Sequence, residues 1–263
     1  MTKTILITGA TDGIGLETAK LLAAEGHKLL LHGRNPEKLA RAAEAAGGDS
    51  ETYVADLSRL ADVEALAQAI GAKHAHLDVL INNAGVYKTP NPVTPEGLDV
   101  RFLVNSLAPF ALTRHLLPLM PADGRVINLS SAAQSPVNIR ALAGEVQLGE
   151  MEAYSQSKLA ITIWTRELAA SLPDGPAIIA VNPGSLLASK MVQEGFGIAG
   201  SDLGIGADIL RRAALSDEFA GASGKYFDND RGGFGTPHHD ALDEAKAREV
   251  MTAIEALLEG LKG

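Results

Sequence analysis

Tyr154 and Lys158 stand four residues apart in the apolar-patterned stretch MEAYSQSKLAITIW. Leu159, Ile161, Ile163, Trp164 and Leu168 mark the host as a helix. On a helix, positions i and i+4 lie one above the other on the same face. The phenol and the ammonium therefore share an environment, while Ser155, Gln156 and Ser157 point elsewhere. A cation beside a phenol favours the phenolate, as a tyrosine that gives and takes protons near neutral pH requires. Taken alone, the pair also admits a structural reading, with a satisfied hydroxyl and a lysine whose head reaches solvent.

A second chemical signal lies near the N-terminus. ILITGATDGIG joins a short apolar run to a helical pattern through Gly9, Gly13 and Gly15. Glycines at such a turn let the backbone approach a pyrophosphate, whose charge the helix N-terminus then favours. The spacing is G-x-x-x-G-x-G rather than the commoner G-x-G-x-x-G, and a tight turn also wants glycine for its own sake. The next apolar run ends in LHGRN. In dinucleotide-binding folds that position reaches the adenosine ribose, where an acid reads the 2′-hydroxyl and an arginine accommodates a 2′-phosphate. No acid occurs in LHGRN and Arg34 does, so the expected cofactor is NADP(H) in preference to NAD(H).

These residues need a scaffold, and the alternation of short and long patterns supplies one. Strands are expected at residues 4–8, 28–32, 51–54, 79–82, 125–129, 177–181 and 225–227. Helical spacing appears through Leu60, Val63, Ala67 and Ile70, and again through Leu98, Phe102, Asn105 and onward to Leu117, opened by Thr94 as cap and Pro95 at the first helical position. A last helix begins near Asp240 and carries Leu242, Val250, Ile254, Leu257 and Leu258. Alternating strand and helix over the whole chain predicts a single α/β domain over residues 1–263, with a parallel sheet of about seven strands and helices on both faces. The glycine-rich stretch 185–206 reads as a mobile excursion over the substrate. Met191, Val192, Phe196 and Ile198 are its apolar side chains.

Bulk properties narrow the function. The 263 residues are 46% hydrophobic and 21% charged, as in an ordinary globular protein. A formal charge of -9 argues against a nucleic-acid partner held through phosphates. With no cysteine there is no thiolate nucleophile and no cysteine-ligated metal. His238 and His239 are adjacent, so they are expected to diverge, and no metal site is expected. No apolar run approaches the length of a membrane span, and the expectation is a cytoplasmic protein whose homo-oligomerisation is left open.

The order of these motifs resembles the short-chain dehydrogenase/reductase family along nearly the whole chain. TGATDGIG, with Gly9, Thr11, Asp12, Gly13, Ile14 and Gly15, resembles its cofactor loop. ADL at 55–57 resembles the segment where an aspartate, here Asp56 followed by Leu57, meets the adenine. NNAG at 82–85, with Asn83, Ala84 and Gly85, resembles the motif that steadies the sheet and lines the cofactor. VNPGS at 181–185, with Pro183 and Gly184, resembles the segment that closes over the nicotinamide. Asn105 in FLVNSLAPF, Ser131 in INLSS, and Tyr154 with Lys158 match the four active-site positions. TPEGLDVRFLVNSLAPFALT, AYSQSKLAITIWTREL and GKYF are similar to the branch holding retinol-dehydrogenase-like and protochlorophyllide-reductase-like members. Two departures stand out. Asp12 occupies a place where NADP-preferring relatives often carry a basic residue, and Ala188, next to Ser189, replaces a threonine of the segment after NPG.

The resemblance implies a Rossmann-type, doubly wound fold and hydride transfer between a nicotinamide and a carbonyl or alcohol carbon of an apolar small molecule. It gives Tyr154 the proton, Lys158 the ribose hydroxyls and the lowering of the phenol pKa, Ser131 the substrate oxygen, and Asn105 a water that relays protons to Lys158. The alternative is a nucleotide-sensing or scaffold protein that keeps the fold without the chemistry, and the four filled positions disfavour it.

Overall fold

In the computed structural model, residues 1–185, 187, 188 and 200–261 are described. Strands β1 (Thr4–Ile7), β2 (Lys28–Gly33), β3 (Ser50–Val54), β4 (Val79–Asn82), β5 (Arg125–Leu129), β6 (Ala177–Asn182), β7 (Tyr226–Asp228) and β8 (Gly233–Gly235) form one sheet in the order β3-β2-β1-β4-β5-β6-β7-β8. Neighbours from β3 to β7 run parallel, and β8 closes the edge antiparallel to β7. The eighth strand among the described residues exceeds the expected seven. It is three residues long and two of them are glycines, so it carries no strand signature; its pairing to β7 makes it a strand.

The central strands are short Leu, Ile and Val runs buried on both faces, as parallel strands between helical layers must be. Alternate side chains feed two cores. Leu6, Leu30, Leu80, Val126 and Ile178 face one layer, built from α3 (Leu60–Lys73), α5 (Ala108–Leu116), α7 (Glu150–Ser171) and α9 (Glu244–Gly260). Ile7, Leu31, Ile81, Ile127 and Ile179 face the other, built from α1 (Gly13–Ala24), α2 (Pro36–Ala46) and α8 (Leu203–Leu215). The two short helices are α4 (Val100–Phe102) and α6 (Ile139–Leu142). No described helix is long and apolar enough to cross a membrane.

Three boundaries differ from expectation. The helix expected from Thr94 begins at Val100 instead, where Asp99 accepts from the Arg101 N–H at 2.8 Å. Thr94 donates its backbone N–H to the Leu98 carbonyl at 2.8 Å, and Gly97 sits at φ 86°, so residues 94–98 close a turn that a helix could not continue. The last helix starts at Glu244, capped by Asp243 rather than near Asp240. Residues 203–206 are the first turn of α8, capped by Asp202, and Gly206 is buried there against Leu187 and Ile14. The excursion is therefore shorter than expected, and a parallel bridge between Leu187 and Ser201 ties its ends together. Met191, Val192, Phe196, Ile198 and Ser189 lie outside the described residues.

Candidate active site

Strand order reverses between β1 and β4, so the loops that leave their C-terminal ends part and open a crevice. That crevice is a cleft of about 750 Å³, lined by every expected cofactor residue from Gly9 to Gly184 and by Ser131, Tyr154 and Lys158.

The floor of the cleft is the turn after β1. Gly9 has φ 67° and Gly13 φ 58°, conformations that favour glycine. A Cβ on Gly9 would lie 2.9 Å from Ala84 Cα, and one on Gly15 would meet the Gly9 carbonyl and lie 2.5 Å from Asn83 Nδ2. Asn83 holds the turn by donating to the Thr8 and Gly9 carbonyls at 2.8 and 3.0 Å. Thr8 Oγ1 in turn accepts from the N–H groups of Asn83 and Ala84. Glycine is thus required because the NNAG segment packs directly onto the turn, leaving its backbone bare toward the cleft. Asp12 caps α1 by accepting from Gly13 N at 2.8 Å, so its carboxylate shares the helix N-terminus with whatever anion enters.

At the adenosine end, Arg34 is joined on the cleft wall by Lys38, from the first turn of α2. Sequence reasoning passed over Lys38, although Asn35 and Pro36 mark the helix start that presents it; Asn35 accepts from Lys38 N at 2.9 Å. Gly33 was also passed over, and a side chain there would collide with Thr11. His32, likewise unremarked, is 1% exposed and bridges two cofactor segments. Its Nδ1 accepts from Gly9 N at 3.3 Å and its Nε2 faces the Ala55 carbonyl at 3.1 Å, an arrangement that fits the neutral Nε2–H tautomer. Burial pushes its pKa down to about 4. Asp56 lines the cleft while accepting from the backbone and hydroxyl of Ser58.

At the other end α7 presents Tyr154 and Lys158. Lys158 is 4% exposed, donates to the Leu129 carbonyl at 2.7 Å, and lies 5.6 Å from the centre of the Tyr154 ring. Burial brings its pKa down to about 8. Tyr154 is raised from 10 by burial, against the lowering effect of its hydrogen bond with Ser131. In the chain by itself desolvation outweighs the Ser131 hydrogen bond.

Asn105 sits in a π-helical turn, Leu103–Leu107, and is 1% exposed behind the cleft wall. Its Oδ1 accepts from Val86 N at 2.8 Å, and its Nδ2 donates to the Val86 carbonyl at 2.9 Å and to Ser157 Oγ at 3.0 Å. Ser157 donates onward to the Tyr154 carbonyl at 2.6 Å. Both amide hydrogens are thereby used, so the Asn105 side chain locks the wall and the helix turn that carries Tyr154. The NNAG segment is anchored likewise, with Asn82 donating to Asn128 and Thr113 inside the core.

The histidines do not diverge. The His238 and His239 rings are 4.2 Å apart, and with Asp240 they place three donor atoms within 4.8 Å. Asp240 is paired with Lys246 at 2.7 Å and lies 2.9 Å from His239 Nε2.

A parallel sheet with a glycine turn at its switch point, and a Tyr–Lys pair along the same cleft, defines an NAD(P)-dependent oxidoreductase of Rossmann type. Comparison with known proteins makes the class specific. A family model described as short chain dehydrogenase matches residues 3–196, and the chain belongs to that family. It is 33% identical to human retinol dehydrogenase 13 over 99% of this chain and 85% of that protein. A crystal structure of an uncharacterised protein from Mycobacterium paratuberculosis superposes with TM-score 0.82 and 29% identity, covering 98% of this chain and 93% of that one. The landomycin C-6 ketoreductase LanV, solved with NADP and rabelomycin, superposes with TM-score 0.67 and 28% identity, over 86% of this chain and 94% of that one.

Proposed function

We propose that this enzyme uses NADP(H) to interconvert an apolar carbonyl compound and its alcohol. The observation that carries the cofactor preference is the pair of cations, Arg34 and Lys38, on the wall at the end of β2, with no acid in the β2–α2 turn to read a free ribose hydroxyl. The glycines Gly9, Gly15 and Gly33 fit a dinucleotide-binding turn, because a Cβ at each would collide with Ala84, Asn83 or Thr11 and push apart the closely packed backbone that lines the cleft. Lys158 has three ammonium hydrogens and gives one to Leu129, which leaves donors for a ribose. The NADP bound to LanV is in keeping with this preference.

For the substrate, the support is the apolar part of the lining: Val86, Tyr87, Val104, Met151 and Leu187 line the same cleft as Tyr154. The Tyr87 ring meets Tyr154 edge to face at 5.3 Å, giving a carbonyl compound an apolar flank. Among the similar proteins, one is named a retinol dehydrogenase and another a landomycin C-6 ketoreductase.

When bound, the nicotinamide supplies or accepts hydride. The residues of the chain do the remainder. Ser131 orients the carbonyl oxygen toward Tyr154. Tyr154, held neutral by burial, donates its proton to the developing alkoxide during reduction, and in oxidation takes a proton back. Lys158 binds ribose hydroxyls and adds positive field below the ring. Turnover of a panel of aldehydes, ketones and alcohols, followed at 340 nm with each cofactor, tests the reading. Preference for NADPH with medium-chain or cyclic apolar substrates is expected; preference for NADH or for small polar carbonyls overturns the corresponding half.

A further inference from the structure

We propose that Tyr226 and Gln134 are positioning residues that clamp the Ser131 peptide and so aim the Ser131 hydroxyl at the reacting oxygen. The inference rests on the reading of Ser131 as the residue that orients substrate.

Ser131 follows the C-terminal end of β5, where no sheet pairing holds it. Its carbonyl instead accepts two side-chain hydrogen bonds, from Gln134 Nε2 at 2.9 Å and from Tyr226 Oη at 3.1 Å. Gln134 Nε2 also reaches Ser130 Oγ at 3.4 Å. Gln134 Oε1 is fixed by His238 N at 3.2 Å. Two donors, one from β7 and one from the loop after β5, thus converge on one carbonyl, and the segment before α9 holds the Gln134 donor in place. On the hydroxyl side, Ser131 Oγ accepts from Ala133 N at 3.1 Å, so its hydrogen is left for Tyr154 or a substrate oxygen. With the peptide plane held at the carbonyl and the oxygen at Ala133, the side chain has little freedom left.

Tyr226 is 4% exposed and 95 residues from Ser131 in sequence. Burial, together with Asp228 and Asp230 close by, pushes its phenol well above its ordinary value, so it remains a donor across the working pH range. The same hairpin holds the nicotinamide-side segment. Asp230, two residues beyond β7, accepts from Ser185 N at 2.8 Å and from Asn182 Nδ2 at 2.9 Å. One edge hairpin thereby sets the register of both the substrate serine and the start of the segment after NPG. This explains why the three-residue strand β7 carries a buried tyrosine: the hydroxyl is required at a peptide of the active site.

The test uses Tyr226→Phe, which removes one donor and keeps the ring, and Gln134→Leu, which removes the other from a half-buried loop. Tyr53→Phe serves as control, since it deletes a buried tyrosine's hydrogen bonds to Glu51 and His74 far from Ser131. Each clamp variant is expected to lower kcat for NADPH-dependent reduction of decanal about tenfold, with the cofactor dissociation constant unchanged, because small misplacements of reacting groups carry costs of that order. A readout independent of turnover is the absorbance of tyrosinate at 295 nm with NADP bound, assigned to Tyr154 by its disappearance in Tyr154→Phe. The Ser131 bond lowers the Tyr154 pKa, so loosening Ser131 is expected to move that titration upward by about one pH unit. Wild-type kcat and an unmoved titration in both clamp variants would overturn the proposal. If Tyr226→Phe does not fold, Gln134→Leu decides by the same two measurements. Ser131→Ala separates the premise from the inference: an unmoved Tyr154 titration there rejects the reading of Ser131, whereas a shift in Ser131→Ala with none in the clamp variants rejects the clamp alone.

Discussion

Lys158 stands one helical turn beyond Tyr154, yet its ammonium bonds the Leu129 carbonyl at 2.7 Å and lies 5.6 Å from the centre of the tyrosine ring. Its influence on the phenol is thus a field through the ring, while its hydrogen bonds go to the β5 backbone and the cleft. The two side chains have separable jobs, and substitution separates them.

Tyr154→Phe is expected to reduce turnover by about 10²–10⁴ with cofactor affinity nearly intact, since only the proton donor is lost. Lys158→Ala is expected to weaken both. Steady-state kinetics beside a fluorescence titration with NADPH checks the pair. A Phe variant with near-normal kcat removes Tyr154 from proton transfer.

The Lys158 pKa of about 8 gives cofactor binding a pH dependence. Below pH 8 the ammonium is charged and donates strongly; above it the neutral amine takes over. The NADPH dissociation constant should be flat below pH 8 and rise toward about tenfold weaker in the range above, the size of one charged hydrogen bond. Lys158→Met should flatten the curve. A wild-type curve with no inflection near pH 8 contradicts the assignment.

NADPH is expected to bind more tightly than NADH, and Arg34→Ala and Lys38→Ala should each cost NADPH about tenfold while leaving NADH almost unchanged. Asp12→Asn should tighten the binding of both cofactors, because it removes a carboxylate from the helix N-terminus that would face the pyrophosphate they share. Equal dissociation constants for the two cofactors in the wild type would sink the preference.

His32 couples acid stability to the glycine turn. Its folded pKa is about 4 against an ordinary 6.5, so between those values the unfolded chain binds a proton that the folded chain refuses. Stability should therefore fall as pH drops from 6.5 to 4, by about 3 kcal/mol in all, and level off below. Chemical denaturation across that range measures it. His32→Asn should remove this share of the loss, and an identical acid profile in that variant would exclude His32 as its source.

Gly15→Ala should abolish cofactor binding while the chain still folds into its sheet, because the new methyl group meets the Gly9 carbonyl and Asn83 Nδ2 at the turn itself. Circular dichroism beside an NADPH titration reads both halves. Normal binding by Gly15→Ala would mean that the turn has slack the packing does not suggest.

Local chemistry made much of this protein legible from residues alone. The helical spacing around Tyr154 and Lys158 put both on one face, the glycines of TGATDGIG announced a turn with bare backbone, and the Leu/Ile/Val runs announced buried parallel strands. Each of those signals lies within a few residues, where periodicity and backbone freedom decide the outcome. What only the tertiary structure decided depends on distant partners or on burial. Asn105 is spent on Val86 and Ser157, which no spacing around it reveals. The Tyr154 phenol sits above 10 because the fold desolvates it more strongly than Ser131 stabilises its charge. Lys38 joins Arg34 only once α2 turns its first residues to the cleft, and Tyr226 reaches Ser131 only across β5, β6 and β7. Sequence distance says nothing about such contacts, since they form between neighbours in a sheet whose order differs from that of the chain.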